Sequence, residues 1–358
     1  MKQLLTVILV LLMSIFIYGQ SPYEVPVNIP PYDASNPAMQ LITPTNNGWS
    51  QINNTSKRFF YVQPGNYYSS LGTISLTANG SSGSRRYISL YNGNDTHPGK
   101  LATSQLANVV FSITGDYWVI DRMALFTNNT APIRLENANN NVINRFYARN
   151  AGDIGFRHGC DGNTVQNCRM EILDRTIFPD RPAFGMINYS SSAGRMIANA
   201  QITNTHIVNN ETYNYVDGFQ SVLHDHNATT NITGVNYEGT VLDYNHFYVD
   251  DLMYTDCNGT YNTNGVCAYS ENGIDLKCGS ENPNNPMIIT NNKMWGYKKS
   301  DQTGSNLSDW GSAIVAHYGV NNVRIEDNVF FDSDRGITLS GLVTNFGTVP
   351  NRAMLNST

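Results

Sequence analysis

From Arg58 to Leu342 the apolar residues fall into short runs with a period of two, cut every few positions by Gly, Asn or Asp. No stretch in this region sustains a helical period, so the pattern predicts short strands and tight turns. One motif returns: apolar, any, Asn or Asp, polar, any, apolar. It appears as VQNCRM from Val165, ITNTHI from Ile202, ITNNKM from Ile289 and IEDNVF from Ile325, with weaker copies VINRFY from Val142 and LDYNHF from Leu242. Ahead of most copies lies a second strand: VVFSI at Val109, PIRLE at Pro132, DIGFRHG at Asp153, DGFQSV at Asp217, NGIDLK at Asn272 and SAIVAH at Ser312. A last one, RGITLS at Arg335, has no clear partner after it. Aligned on apolar positions, Ile133 to Phe156 and Ile314 to Ile337 both span 23 residues, and longer intervals between them read as inserted loops.

A period in the twenties with two or three strands per unit marks a solenoid, because no unit can bury its apolar face without its neighbours. The expected fold is all-β: a single-stranded right-handed parallel β-helix of about seven to eight coils over residues 58–342. Residues 21–57 read as an entry segment and 343–358 as a tail or an incomplete coil. The recurring Asn144, Asn167, Asn204, Asn291 and Asp327 are expected to stack at one turn of each coil and hydrogen-bond along the axis.

The first residues, MKQLLTVILVLLMSIFIYGQ, hold a lysine and then an apolar run from Leu4 to Tyr18. That run is shorter than the roughly 18 residues a membrane span needs, so residues 1–20 are read as a cleaved secretory signal. A secreted chain with no membrane attachment after cleavage follows. Twelve N-x-S/T sequons allow glycosylation. Five cysteines in an exported chain suggest disulfides. Cys160 with Cys168 and Cys257 with Cys267 are spaced to close local loops, which leaves Cys278 odd or in place of a member of the second pair. Only 14% of residues are charged, and 22 Lys and Arg against 28 Asp and Glu, without a basic run, exclude a nucleic-acid partner. A monomer with a weakly charged, Tyr-rich surface suits a carbohydrate.

In a strand, side chains alternate sides. If Ile274 and Leu276 face inward, Asp275 and Lys277 face outward; likewise His317 in SAIVAHYG and Arg157 in DIGFRHG. Arg157, Lys277 and His317 each stand two residues before a glycine, in one longitudinal column. Lys277 and His317 occur in successive units, close enough for one sugar ring, while Arg157 lies several coils away at about 4.8 Å per coil.

The repeat and the entry sequence YVQPGNYYSSLGTISLTANGSSGSRRYISLYN resemble the pectate-lyase-like superfamily of right-handed parallel β-helices, from about Arg58 to Leu342. The stretch ENGIDLKCGS with MIITNNKMW and SAIVAHYGVNNVRIEDNVFF is similar to polysaccharide lyase family 6, the chondroitinase B and alginate lyase group. That resemblance implies β-elimination on a polysaccharide containing uronic acid. Lys277 would be the base, His317 would stand where the family has an arginine, and Glu271 would lie near the acids that hold calcium. The family's leucine-arginine-histidine-glycine signature is matched only by FRHG at Phe156–Gly159, far upstream.

β-Elimination needs a base for the proton α to the uronate carboxylate and a cation for the charge that builds there. A lysine base must be neutral, and Asp275 beside Lys277 opposes that unless a metal engages it. Oxygen donors available for calcium are Asp217, Asp250, Asp251, Glu271 and Asp275. His224, Asp225 and His226 read as a solvated loop. Substrate contacts are expected from Arg157, Asp275, Tyr269 and Trp295. Two rival readings remain. A β-helical glycosidase would use Asp217, Asp250 and Asp251 as paired carboxylates, although the Gly-His-Gly and Arg-Ile-Lys of polygalacturonases are absent. A non-catalytic glycan-binding β-helix would grip through Tyr215, Tyr254, Tyr269, Trp295 and Tyr297.

Overall fold

The computed structural model describes residues 21–339, apart from positions 47, 64, 68–71, 92–103, 108–109, 127–130, 174–181, 188, 191–194, 197–200, 223–235, 251–269, 299–310 and 318–319. The expected signal, the sequons at Asn94, Asn128, Asn188, Asn227, Asn231, Asn258 and Asn306, and the tail lie outside the described residues. So do His224–His226, Asp251, Tyr254, Tyr269, Cys257 and Cys267.

Three long parallel sheets of ten, nine and nine strands run along the molecule. The first extends from Met39–Ile42 to Val323–Glu326, the second from Gly65–Tyr67 to Val329–Phe331, and the third from Thr73–Leu76 to Arg335–Leu339. Each coil gives one strand to each sheet. The coil at Lys277's C-terminal side, for example, uses Met287–Thr290, Lys293–Trp295 and Ser312–Ala316 in that order. This is the parallel β-helix anticipated from the repeat, with nine three-strand coils among the described residues. Thr73–Leu76 and Phe184–Ile187 are the third-sheet strands that the repeat did not single out. Met39–Ile42 also pairs with Phe59–Val62, so the first sheet begins inside the entry segment.

The interior is built by strict alternation. In the third sheet Ile154, Phe184, Phe219, Ile274 and Ile314 align coil on coil, all at 0% exposure. Each such side chain contributes about 1.5–3 kcal/mol by leaving water. Ile314 pairs with Ile337 as the 23-residue spacing implies, but Ile133 pairs with Ile154 and not with Phe156. A slip of two preserves the face, so apolar alignment alone could not detect it.

The expected asparagine column divides into several. Asn167, Asn291 and Asp327 occupy the corner between the first and second sheets with φ of 57°, 54° and 55°. They serve there because Asn and Asp tolerate the left-handed conformation that the corner needs. The buried ladder is formed by the next residue along. The Asn210 amide nitrogen Nδ2 donates to Asn245 Oδ1 (3.1 Å), Asn245 Nδ2 to Asn292 Oδ1 (2.9 Å) and Asn292 Nδ2 to Asn328 Oδ1 (2.9 Å). Asn204 belongs to a different corner, between the third and first sheets, with φ of 49°. Asn144 lies on the outer face and donates to Asp121.

Cys168 stands at the ladder position one coil before Asn210, and its backbone N–H donates to Asn210 Oδ1 (2.9 Å). Its thiol reaches the carbonyls of Gln166 (3.2 Å) and Ile143 (3.7 Å). The expected Cys160–Cys168 disulfide is therefore not formed: both residues, and Cys278, are buried free thiols. Cys160 and Cys168 fall at different corners of the coil and serve as small core residues.

The first described residues cross the outside of the first sheet. Ser21 Oγ donates to Asp243 Oδ2 (2.6 Å), and Tyr23 packs on the ring of His206. Val25 exchanges hydrogen bonds with the Gln166 side chain (2.8 and 2.9 Å), and the Tyr61 hydroxyl donates to the Pro30 carbonyl (2.5 Å). This strap thus spans from the seventh coil back to the first.

Candidate active site

The outer face of the third sheet carries the chemistry. Asp217–Val222, Asn272–Leu276 and Ser312–Ala316 are consecutive strands, with Gln220 in register with Asp275 and Leu276 with Ala316. The ladder continues one residue further: Lys277 N donates to Ser221 O (3.1 Å) and His317 N to Leu276 O (2.8 Å). Lys277 and His317 are therefore neighbours on adjacent coils, as the alternation requires.

Their side chains meet at one carboxylate. Lys277 Nζ donates to Asp275 Oδ2 (2.5 Å), and His317 Nε2 lies 3.0 Å from Asp275 Oδ1. Gln220 Nε2 donates to Asp275 Oδ2 from the preceding coil (2.9 Å). Asp275 is 1% exposed, against 13% for the side chains of Lys277 and His317. Outward-facing does not mean solvated here: the carboxylate is sealed, and Lys277 and His317 over it are themselves mostly buried.

Two further carboxylates converge on this hub. Asp217, Glu271 and Asp275 each offer an oxygen within 4.8 Å of the others. Asp217 Oδ1 accepts from the Asn272 N–H (3.0 Å), and Asn272 Oδ1 accepts from the Ser312 N–H (3.1 Å), which fixes the cluster to three successive coils. Burial first, then the Glu271 and Asp275 charges, pushes the Asp217 carboxyl well above its ordinary range. Burial also acts to raise Asp275. The His317 contact and the Lys277 charge outweigh it and hold this carboxyl well below the usual range. Lys277 shows the converse. Burial favours its neutral form, but Asp275 and then Asp217 prevail and raise its pKa. With only protein charges around it, Lys277 is a stabilised ammonium, which is the opposition anticipated from Asp275.

A cluster of three oxygen donors, two of them buried, in which burial and then the neighbouring charges push the Asp217 carboxyl up, fits a hard cation such as calcium. The expected metal set is redistributed. Asp217 and Glu271 come together, and Asp275, offered both as a donor and as a substrate contact, joins them. Asp250 does not take part: its carboxylate accepts from the Tyr213 hydroxyl and the Asn214 amide. Trp295 is also elsewhere, on the second sheet, with one ring face covered by Tyr248 (4.4 Å, 9°) and the other by Phe331 (5.0 Å, 13°). A ring sandwiched along the axis stabilises coil stacking and offers no open face to a sugar. Tyr215 and Tyr297 are core residues at 1% and 0% exposure. Arg157 is on the site's own face, three coils before Lys277, in register with Ile187. Sequence reasoning missed Gln220, although the apolar alignment of DGFQSV with NGIDLK pairs it with Asp275.

No known family matches this sequence, and no curated protein does. Among solved structures, an alginate lyase from Paenibacillus sp. aligns over 85% of this chain and 98% of its own, at 14% identity and a TM-score of 0.51. The chain has a parallel β-helix fold. Other solved structures that align are a rhamnogalacturonan lyase (11% identity, 79% of this chain and 74% of that one, TM-score 0.44) and a PL6 family alginate lyase (12% identity, 89% and 47%, TM-score 0.36). At these identities the likeness is one of fold, and the chemistry of this chain rests on its own residues.

Proposed function

We propose that the protein is a secreted polysaccharide lyase that cleaves a uronic-acid-containing chain by β-elimination. The observation that carries this reading is the Asp275 hub, which holds an amine and an imidazole from adjacent coils on one carboxylate. In its neutral form, which requires the Asp275 charge to be offset, Lys277 is the group that takes the α-proton, at Nζ, and His317 is the group that returns a proton to the glycosidic oxygen of the leaving sugar. Asp275 orients both, and Gln220 fixes Asp275. About one coil spacing, ~4.8 Å, separates the two backbones, which matches a base and an acid serving the same sugar ring.

Asp217, Glu271 and Asp275 would hold a calcium ion, which would supply positive charge for the uronate carboxylate and for the three side chains themselves. An acidic polysaccharide is the partner that such a site suits.

The test is incubation of the purified chain with pectate, alginate and chondroitin sulfate, with and without calcium, while absorbance of the unsaturated product is followed. Lys277→Ala and His317→Ala are each expected to lower the rate by at least about a hundredfold. New reducing ends without that absorbance would replace elimination by hydrolysis, and an undiminished rate in Lys277→Ala would remove lysine as the base.

A further inference from the structure

We propose that Arg134, with Arg157 beside it, forms a carboxylate-binding subsite on the outer face of the third sheet, gripping an acidic polysaccharide laid along the solenoid axis toward Lys277. This rests on the reading of the chain as one that acts on uronate polymers.

The register places the subsite. Reading across the third sheet, Arg134 pairs with Gly155, Gly155 with Gly185, Gly185 with Gln220, and Gln220 with Asp275. Arg134 therefore shares one outward column with the hub, four coils or roughly 19 Å away at the usual strand spacing. Gly155 is what leaves room for the Asp153 carboxylate beside Arg157. A Cβ at that position would lie 2.6 Å from Asp153 Oδ2, a clash, and at an ordinary 3.7 Å from Arg157 Nη2. The Arg157 guanidinium thus reaches back over the position next in register to Arg134. Asp153, at 0% exposure, lies over the same point and supplies one negative charge against two positive ones.

Arg134 has the unmet requirement. Its Nε is buried with no hydrogen-bond partner, and the guanidinium has no ion-pair partner among the described residues. A buried donor without an acceptor is a cost that folded chains seldom retain without use. Its five N–H groups form a planar fork suited to a carboxylate. A polymer held at Lys277 must span those four coils, roughly 19 Å, to bring a carboxylate to Arg134, and short oligomers would not reach it.

The decisive measurement is calorimetric binding of oligogalacturonates and oligoalginates of defined length to the full chain in a Lys277→Ala background, with and without Arg134→Ala. The subsite predicts a loss of affinity that grows with length, about tenfold for hexamers and octamers and far smaller for dimers. Arg134→Lys should recover part of it, and the salt dependence of hexamer binding should become shallower. A merely structural arginine would weaken all lengths alike and lower the thermal midpoint; that result, or unchanged hexamer affinity, overturns the proposal. If Arg134→Ala shows the length-dependent loss but the wild-type chain yields no unsaturated product, the subsite stands and the lyase reading falls. If the wild-type chain eliminates but Arg134→Ala binds every length as well as its parent, the reverse holds. Absence of binding to any oligomer overturns both.

Discussion

Asn245 is the residue on which the buried ladder can be tested. Its side chain is at 0% exposure and faces the ladder in both directions. Oδ1 accepts from the N–H and the Nδ2 of Asn210 (both 3.1 Å), while Nδ2 donates to Ile207 O (2.7 Å) and Asn292 Oδ1 (2.9 Å). Asn245→Ala leaves the Asn210 N–H and the Ile207 carbonyl each short of a partner inside the solenoid. At about 1–3 kcal/mol per orphaned group, the expected loss is about 2–5 kcal/mol. The control is Asn291→Gly. Asn291 sits at φ 54° and makes one side-chain bond, Nδ2 to Asp243 Oδ1 (2.9 Å). Glycine keeps the left-handed corner at little steric cost, so the expected loss is about 0.5–1 kcal/mol. Urea titration of both variants by circular dichroism, compared through midpoints at constant slope, separates them. Equal losses at the two positions would refute the assignment of the ladder to the second residue of the corner.

Three other outcomes follow from the same geometry. The depressed Asp275 carboxyl contributes stability that is present above about pH 4, the unfolded value, and is lost as pH falls through the lower folded one. Asp275→Asn should therefore flatten the acid limb of a plot of thermal midpoint against pH. Asp217 has the opposite sign: its contribution is full below about pH 4 and is lost as pH rises through the raised value. Calcium should thus raise the midpoint more at neutral than at mildly acid pH, and Asp217→Asn should both stabilise the calcium-free chain at neutral pH and remove the calcium response. Burial pushes the Cys160 thiol up to about 11 and Cys168 up to about 12, so a maleimide followed by mass spectrometry should label neither until the chain is unfolded.

The sequence made the solenoid legible because period-two alternation and the asparagine corners repeat in the chain itself. The placement of Lys277 and His317 followed from alternation alone, since Ile274, Leu276, Ile314 and Ala316 have only one side on which to bury. What escaped was information carried between coils. The two-residue slip at Ile154 leaves the same face inward and so leaves no trace in the apolar pattern. Trp295 looks like a sugar-binding ring until Tyr248 and Phe331 are found against its two faces, and those lie 47 residues before it and 36 after. Asp250 and Glu271 are equally plausible calcium ligands in one dimension. Only the corner that hands Asp250 to Tyr213 separates them.

The strap from Ser21 to Pro30 has a consequence for how the molecule comes apart. A solenoid joined only by nearest neighbours can unzip from either end, one turn at a time. A tether fastened at Tyr61, Gln166, His206 and Asp243 puts distant turns under a common fastening, so that peeling one end must also release the middle. The chain therefore closes a long circuit with its own beginning. Melting should look like the failure of one body, and trimming those few residues should divide it into steps.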